Sequence, residues 1–283
     1  MDESLSNTAS LPEAVRVDAG LLGKLNLADF QNSVPLLGFL SVVNSSGQAL
    51  DALVLRLETV PAFVKPRLWH IDMVAAGQTL ALRDLDLQLD GALLSRLVEA
   101  ETATVVFTLT PRNPPAGAPA PVLARLEKTV ELLPRNQWGG LSHMPGMTAA
   151  FVQPNDPAVE RLLKKAADIL RTHGKSPALD GYTGGPKRAW ELASAIWSAV
   201  ASLGLDYALP PASFEHKGQK VRGPGQIVES GLATCLDLSL LFCSALEQVG
   251  LNPLLVFTQG HAFAGVWLKP EEFAATVVDD VTA

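Results

Sequence analysis

The sequence predicts a two-domain protein in which an antiparallel β-sandwich is followed by an α+β domain. The chain has 283 residues, a length that suits two domains of roughly 100–150 residues each. Short apolar segments separated by turn residues fill the first half, whereas apolar residues recur with a helical period after about residue 150. A hydrophobic fraction of 48% with 18% charged residues is typical of globular proteins and excludes a disordered chain.

The first half contains six apolar segments that have the composition of strands. Residues 52–58 alternate apolar and polar side chains, as a half-buried strand does, and residues 103–110 are rich in β-branched side chains. Residues 92–99 are the exception, and we expect a helical turn there. Strands at this spacing, with turns between them, predict an immunoglobulin-like sandwich. The predicted strands cover residues 34–43, 52–58, 67–72, 79–89, 103–110 and 122–133.

In the second half of the chain, residues that typically begin or end helices mark the bounds of the predicted helices. Asn155 or Asp156 caps a helix that has Pro157 in its first turn and ends near Gly174. We expect the apolar side chains of the second helix, Trp190 and Trp197 among them, to lie on one face that packs in the core. The other predicted elements are a helix that starts at Pro186 and ends before Gly204, a helix at 235–249, and strands at 254–258, 262–268 and 275–278.

These patterns divide the chain into four parts. The Pro-rich residues 111–121 resemble a linker, but strand-like sequence resumes after them, so they are predicted to form an exposed loop within the sandwich. The predicted boundary lies where the strand pattern stops. The parts are a flexible N-terminus at 1–14, the sandwich at 15–133, a connector at 134–155, and an α+β domain at 156–283 that we expect to be truncated at its C-terminus.

Composition excludes several classes of function. A net charge of −7 argues against direct nucleic-acid binding, which needs Lys and Arg to neutralise phosphates. The two cysteines, Cys235 and Cys243, cannot form a disulfide framework or supply four zinc ligands. No metal or other cofactor is expected. The acidic N-terminus is unlike a signal peptide and no segment is apolar enough to cross a membrane, so we expect a cytoplasmic protein.

One cysteine lies at a position that favours a reactive thiol. Cys235 lies at the turn into an apolar helix, where unsatisfied N–H groups and the helix dipole favour a thiolate nucleophile. His261 begins a strand after a tight turn, and Asp279 ends the next predicted strand. Neighbouring antiparallel strands would bring those two positions to the same sheet edge. Cys243, two turns further along the helix among leucines, is expected to be a small buried hydrophobe.

The residues around these positions resemble the transglutaminase-like branch of the papain-like cysteine enzymes. The resemblance lies in residues 231–237 (GLATCLD), 250–253 (GLNP), 260–263 (GHAF) and 278–279 (VD). It implies that Cys235 is the nucleophile, His261 the general base and Asp279 the residue that orients it. The family usually has Pro after that aspartate, whereas this chain has Asp280, which therefore competes for the orienting role.

The whole chain also resembles the N-terminal part of large bacterial proteins that continue into a superfamily-1 helicase and a restriction-endonuclease-like nuclease. That resemblance rests on residues 132–140, 149–156, 184–190 and 203–211. It implies a helicase-associated module with a role in antiphage defence, with those downstream domains as its partners. The sequence therefore predicts a cysteine peptidase or acyltransferase that acts on a protein or peptide amide. The alternative is a catalytically inactive scaffold that recruits other proteins.

Overall fold

The computed structural model describes residues 14–114 and 119–280. The chain forms two compact units that meet in sequence between Arg135 and Asn136. The architecture is mixed α/β with several sheets. Nearly all of the predicted flexible N-terminus, and residues 115–118 of the Pro-rich loop, lie outside the described residues. Within the described ranges, none of the helices combines the length and the apolar character needed to span a bilayer.

The first unit contains a three-stranded and a five-stranded sheet, with spatial orders β1-β3-β6 and β2-β8-β7-β4-β5. The short strand β2 pairs parallel with β8, so the expectation of a wholly antiparallel arrangement is wrong at this edge. The elements in chain order are β1 (Val15–Leu21), β2 (Lys24–Leu25), α1 (Leu27–Gln31), β3 (Leu37–Asn44), β4 (Leu50–Val60), β5 (Arg67–Val74), β6 (Thr79–Ala81), α2 (Gly91–Arg96), β7 (Glu101–Pro111) and β8 (Ala124–Leu132).

Alternating side chains of both sheets fill one hydrophobic core in this unit. Along β4, Leu53, Leu55 and Leu57 are buried while the residues between them are more exposed, as a period of two requires. Trp69 of β5 stacks on Phe107 of β7 with ring centroids 6.5 Å apart. The predicted strand over 79–89 is wrong beyond residue 81, where the chain stays extended without a continuous ladder.

The second unit packs helices around short strands. Besides a 3₁₀ helix at Gly146–Phe151, its elements are β9 (Gln137–Trp138), α3 (Pro157–Thr172), α4 (Gly185–Ala201), β10 (Asp206–Tyr207), α5 (Phe214–Lys217), β11 (Gln219–Lys220), α6 (Pro224–Ser230), β12 (Leu232–Ala233), α7 (Cys235–Gln248), β13 (Pro253–Thr258) and β14 (His261–Val266).

The helices α3, α4 and α7 share one hydrophobic core. Asp156 caps α3, since its side chain accepts a hydrogen bond from the N–H of Ala158 at 2.7 Å. The expectation that Trp190 and Trp197 pack in the core is wrong: 62% and 63% of their surfaces are exposed. The core face of α4 is instead a stripe of small and aliphatic residues, which lets the neighbouring helices approach closely. Its fully buried members are Ala189, Leu192, Ile196 and Ala199.

The strands β13 and β14 form an antiparallel hairpin with Thr258 opposite His261. Gly260 completes the turn with a φ of +70°, a conformation that residues with a Cβ rarely adopt. The predicted third strand at 275–278 is wrong, because those residues form no ladder. After Pro270 the chain is held at the opposite end of the hairpin, where Phe273 packs on Trp267 with centroids 5.3 Å apart.

Candidate active site

The first turn of α7 is fixed by a reciprocal cap. The hydroxyl of Thr234 accepts the N–H of Asp237 at 3.2 Å, and the carboxylate of Asp237 accepts the N–H of Thr234 at 2.9 Å. Two of the N–H groups that a helix start leaves unpaired are thereby satisfied. Gln219 of β11 donates a further hydrogen bond to the Thr234 hydroxyl at 2.8 Å. Cys235, the first residue of the helix, is therefore held in one backbone conformation.

Asp237 is fully buried, and its charge is met by Arg222. The backbone N–H of Arg222 donates to one carboxylate oxygen at 2.8 Å, and its guanidinium donates to the other at 2.9 Å. Ionised acceptors form the stronger class of hydrogen bonds, and a buried carboxylate without such partners is costly. The guanidinium also offsets the negative charge that Asp237 brings close to Cys235.

Cys235 and His261 line the same cavity, which has a volume of about 700 Å³. The thiol reaches it from the start of α7, and the imidazole reaches it from the first residue of β14. Cys235 is only 3% exposed, so its contact with solvent runs through this cavity. The structure thus places the predicted nucleophile and the predicted base, whose side chain is exposed, on the wall of one cavity.

Tyr207 is a third polar member of the cavity that the sequence did not indicate. It lines the cavity, and its hydroxyl interacts electrostatically with the thiol and the backbone N–H of Cys235. Burial raises the pKa of this hydroxyl, the Cys235 thiol raises it further, and the Cys235 N–H acts in the opposite direction. Half of the Tyr207 surface is exposed.

A two-residue parallel bridge brings Tyr207 to this position. Strand β10 pairs with β12, with Tyr207 opposite Ala233, and Ala233 is two residues before Cys235. The N–H of Ala208 donates to the carbonyl of Ala233 at 2.9 Å and closes the pairing. A bridge this short leaves no periodic signal in the sequence.

Cys243 has the environment of a core residue. It is 2% exposed on the inner side of α7, and its sulfur lies 3.8 Å from the carbonyl oxygen of Leu254. Burial, with a smaller contribution from the nearby Glu247 carboxylate, raises the pKa of this thiol to about 12. The prediction that Cys243 is a small buried hydrophobe is confirmed.

The two aspartates predicted to orient His261 lie in the exposed segment that follows β14. Asp279 and Asp280 are both exposed, and neither lines the cavity. Among the described residues, no carboxylate is hydrogen-bonded or ion-paired with His261, whose ring stacks on that of Phe263 with centroids 6.5 Å apart. The orienting role of Asp279, or of Asp280, therefore stays a prediction.

In the two described ranges, no group of three or more His, Cys, Asp or Glu side chains is arranged to hold a metal ion. No protein-family model matches the chain, and no curated protein matches it significantly.

The Asp237–Arg222 pair generates a prediction about stability. We expect Asp237→Asn to lower the free energy of unfolding by about 2–3 kcal/mol, because it removes the buried charge that Arg222 and two N–H groups contact. Urea unfolding followed by circular dichroism measures this change.

The matched control is Asp168→Asn. Asp168 is paired with Arg171 on an exposed face of α3, and such surface pairs contribute less than about 1 kcal/mol. Equal losses in the two variants would show that the buried pair does not stabilise the start of α7.

Proposed function

We propose that this chain forms a thioester through Cys235 and transfers the acyl group of a protein or peptide amide, with His261 as the general base. The observation that carries the proposal is the shared cavity, in which a cysteine at a helix N-terminus, an imidazole and a tyrosine hydroxyl converge. Covalent catalysis requires a nucleophile and a base that can reach the same substrate, and both candidates line this cavity.

The reaction proceeds in two balanced steps. In the first, His261 takes the thiol proton, the Cys235 sulfur bonds to the amide carbonyl carbon, and His261 returns the proton to the leaving nitrogen as the carbon–nitrogen bond breaks. The products are a free amine and a thioester on Cys235. In the second step, water gives a proton to His261 while its oxygen bonds to the thioester carbon. The carbon–sulfur bond then breaks, a carboxylic acid is released, and His261 returns the proton to the sulfur of Cys235. An amine in place of water would give transfer instead; hydrolysis ranks first because water needs no acceptor site.

Two donors next to Cys235 are suited to the developing oxyanion. The backbone N–H of Cys235 is one, and the Tyr207 hydroxyl, which interacts with the Cys235 thiol and lines the same cavity, is the other. Fixed donors of this kind stabilise the negative charge on the tetrahedral intermediate more than water does. In the unliganded site the hydroxyl interacts with the Cys235 N–H, so an incoming carbonyl oxygen replaces that contact.

The fold and context are part of the same proposal. The second unit is proposed to be transglutaminase-like, and the two sheets of the first unit immunoglobulin-like. On the resemblance of the whole chain to helicase–nuclease proteins, the chain acts as the N-terminal module of a bacterial DNA-processing or antiphage-defence protein. Its partners would then be the substrate polypeptide and the downstream domains, without direct contact to nucleic acid.

A second candidate function is an inactive scaffold that binds other proteins. One observation favours it: in the part of the chain that the structure describes, His261 has no carboxylate partner to fix its tautomer. A scaffold of this kind would keep the cavity without acylating Cys235.

Acylation by p-nitrophenyl acetate separates the two candidates without knowledge of the substrate. We expect a burst of p-nitrophenolate near neutral pH and one acetyl group on the peptide that contains Cys235, found by mass spectrometry. Cys235→Ala abolishes the burst, and His261→Ala slows acylation by about 10²-fold because the proton acceptor is lost.

Cys243→Ala is the matched control. It retains the burst, since a thiol whose pKa lies at about 12 is almost wholly protonated near neutral pH. A folded wild-type protein that acquires no acetyl group on Cys235 would contradict the enzyme and favour the scaffold.

The tyrosine hydroxyl gives a separate prediction. Tyr207→Phe is expected to slow acylation of Cys235 by about 10²-fold, because one donor to the oxyanion is lost. Alkylation of Cys235 by iodoacetamide develops no oxyanion, so its rate tests whether the variant has merely disturbed the thiol.

Tyr182→Phe is the matched control for this variant. The Tyr182 hydroxyl bonds to the carbonyl of Trp267 and the N–H of Asn252, both at 2.9 Å, and Tyr182 does not line the cavity. If Tyr207→Phe slowed acylation and alkylation equally, the tyrosine would have no role toward the oxyanion.

The orienting carboxylate is tested by a pair of adjacent substitutions. We expect Asp279→Asn to slow acylation by at least about 10-fold and to change its pH profile, because Asp279 stabilises the charged form of His261 in the proposed triad. Asp280→Asn should leave both unchanged. The reverse result would assign the role to Asp280, and two unchanged profiles would leave Cys235 and His261 acting as a pair.

A further inference from the structure

The cavity that contains Cys235 extends into an apolar, aromatic groove along α4. Trp190 and Trp197 lie on one face of that helix, seven residues and therefore about 10 Å apart along its axis. Both indoles are mostly exposed. Phe242 of α7 and Phe263 of β14 line other parts of the same groove. Large exposed apolar side chains that gather in one concave space mark a binding surface.

The lining of this groove lacks permanently charged side chains. Among the residues that the structure describes, those that line it include no Asp, Glu, Lys or Arg, and its polar members are three serines, Tyr207, Cys235 and His261. Burying a charged group in such a space costs several kcal/mol, whereas burying an aromatic or aliphatic side chain is favourable. The groove therefore selects against a charged acyl group.

One side of the groove is a strand edge. β14 lines it along its whole length from His261 to Val266, whereas β13, the hairpin partner of β14, contributes no residue. Within residues 14–114 and 119–280, no strand pairs with the other edge of β14. An unpaired edge presents N–H and C=O groups that an extended peptide can bond. An edge next to a groove for apolar side chains is a surface that fits a peptide rather than a lipid chain.

We infer that the acyl donor is an extended peptide segment that lies along β14 and places bulky, uncharged apolar side chains in the groove between α4 and α7. This inference rests on the proposed function, since it assigns the substrate of that site. The volume of about 700 Å³ accommodates two or three large side chains. The amide next to them then reaches the sulfur of Cys235 and the imidazole of His261 at the end of the groove.

The test compares three electrophiles that alkylate Cys235. Two are dipeptidyl chloromethyl ketones of equal length, one built from leucine and phenylalanine and the other from glutamate and aspartate. The third, iodoacetamide, is too small to occupy the groove. With the full chain near neutral pH, we expect the apolar dipeptide to react at least about 20-fold faster than the acidic one.

Trp190→Ala and Trp197→Ala test the groove itself. Each is expected to lower the rate for the apolar dipeptide, expressed relative to the rate for iodoacetamide, by about 5-fold to 10-fold. Both side chains are mostly exposed, so their removal does not threaten the core. Leu209→Ala, which alters a residue that is 85% exposed and does not line the groove, should leave that ratio unchanged.

The outcomes distinguish the two proposals. Rapid alkylation by iodoacetamide with equal rates for the two dipeptides would overturn the substrate assignment and leave the reactive thiol intact. A Cys235 that reacts with none of the three would overturn the proposed function and this inference with it. If an alkyl chloromethyl ketone of similar apolar area alkylated Cys235 faster than the apolar dipeptide, the groove would be assigned to a lipid. If Cys235 became less reactive toward these electrophiles as the protein concentration rose, the groove would instead be assigned to a second copy of the chain.

Discussion

The geometry of the candidate site depends on how the first turn of α7 is held. A helix start exposes N–H groups that must be paired, and here Thr234 and Asp237 pair two of them within the chain. Asp237 also accepts hydrogen bonds from Arg222, so this one carboxylate fixes both the helix and the loop before it. Cys235 lies between the two capping residues, so the same hydrogen bonds hold its backbone in place. A catalytic thiol needs this support, because small displacements of a reacting atom are costly in rate.

Much of the fold could be predicted because its signals are local. Asp156 followed by Pro157 marks the start of α3, and Gly250 follows the last turn of α7, so these helices form close to their predicted bounds. Alternating apolar residues identified β4, and the β-branched run identified β7. The failures have nonlocal causes. Residues 275–278 have the composition of a strand, but a strand forms only where a partner receives its hydrogen bonds.

The candidate site was predictable to a similar extent. Cys235 and His261 could be selected because each stands next to a boundary signal, a helix cap in one case and a tight turn in the other. Tyr207 could not, because its position depends on a bridge between two-residue strands that are distant in sequence. The two tryptophans of α4 were assigned to the core on hydrophobicity alone. The helix buries the adjacent stripe of alanine, leucine and isoleucine instead, so apolar character indicated the right helix and the wrong face.

The separation of the two thiols along α7 has a consequence for oxidation. Cys235 and Cys243 are eight residues apart on one helix, hence about 12 Å, and a disulfide requires Cα atoms within about 7 Å. They are the only cysteines in these 283 residues, so an oxidised Cys235 finds no thiol within this segment with which to form a protective disulfide. Its recovery from a sulfenic acid depends on a thiol from outside the segment, such as a small molecule that can enter the cavity, and without one oxidation continues to irreversible acids.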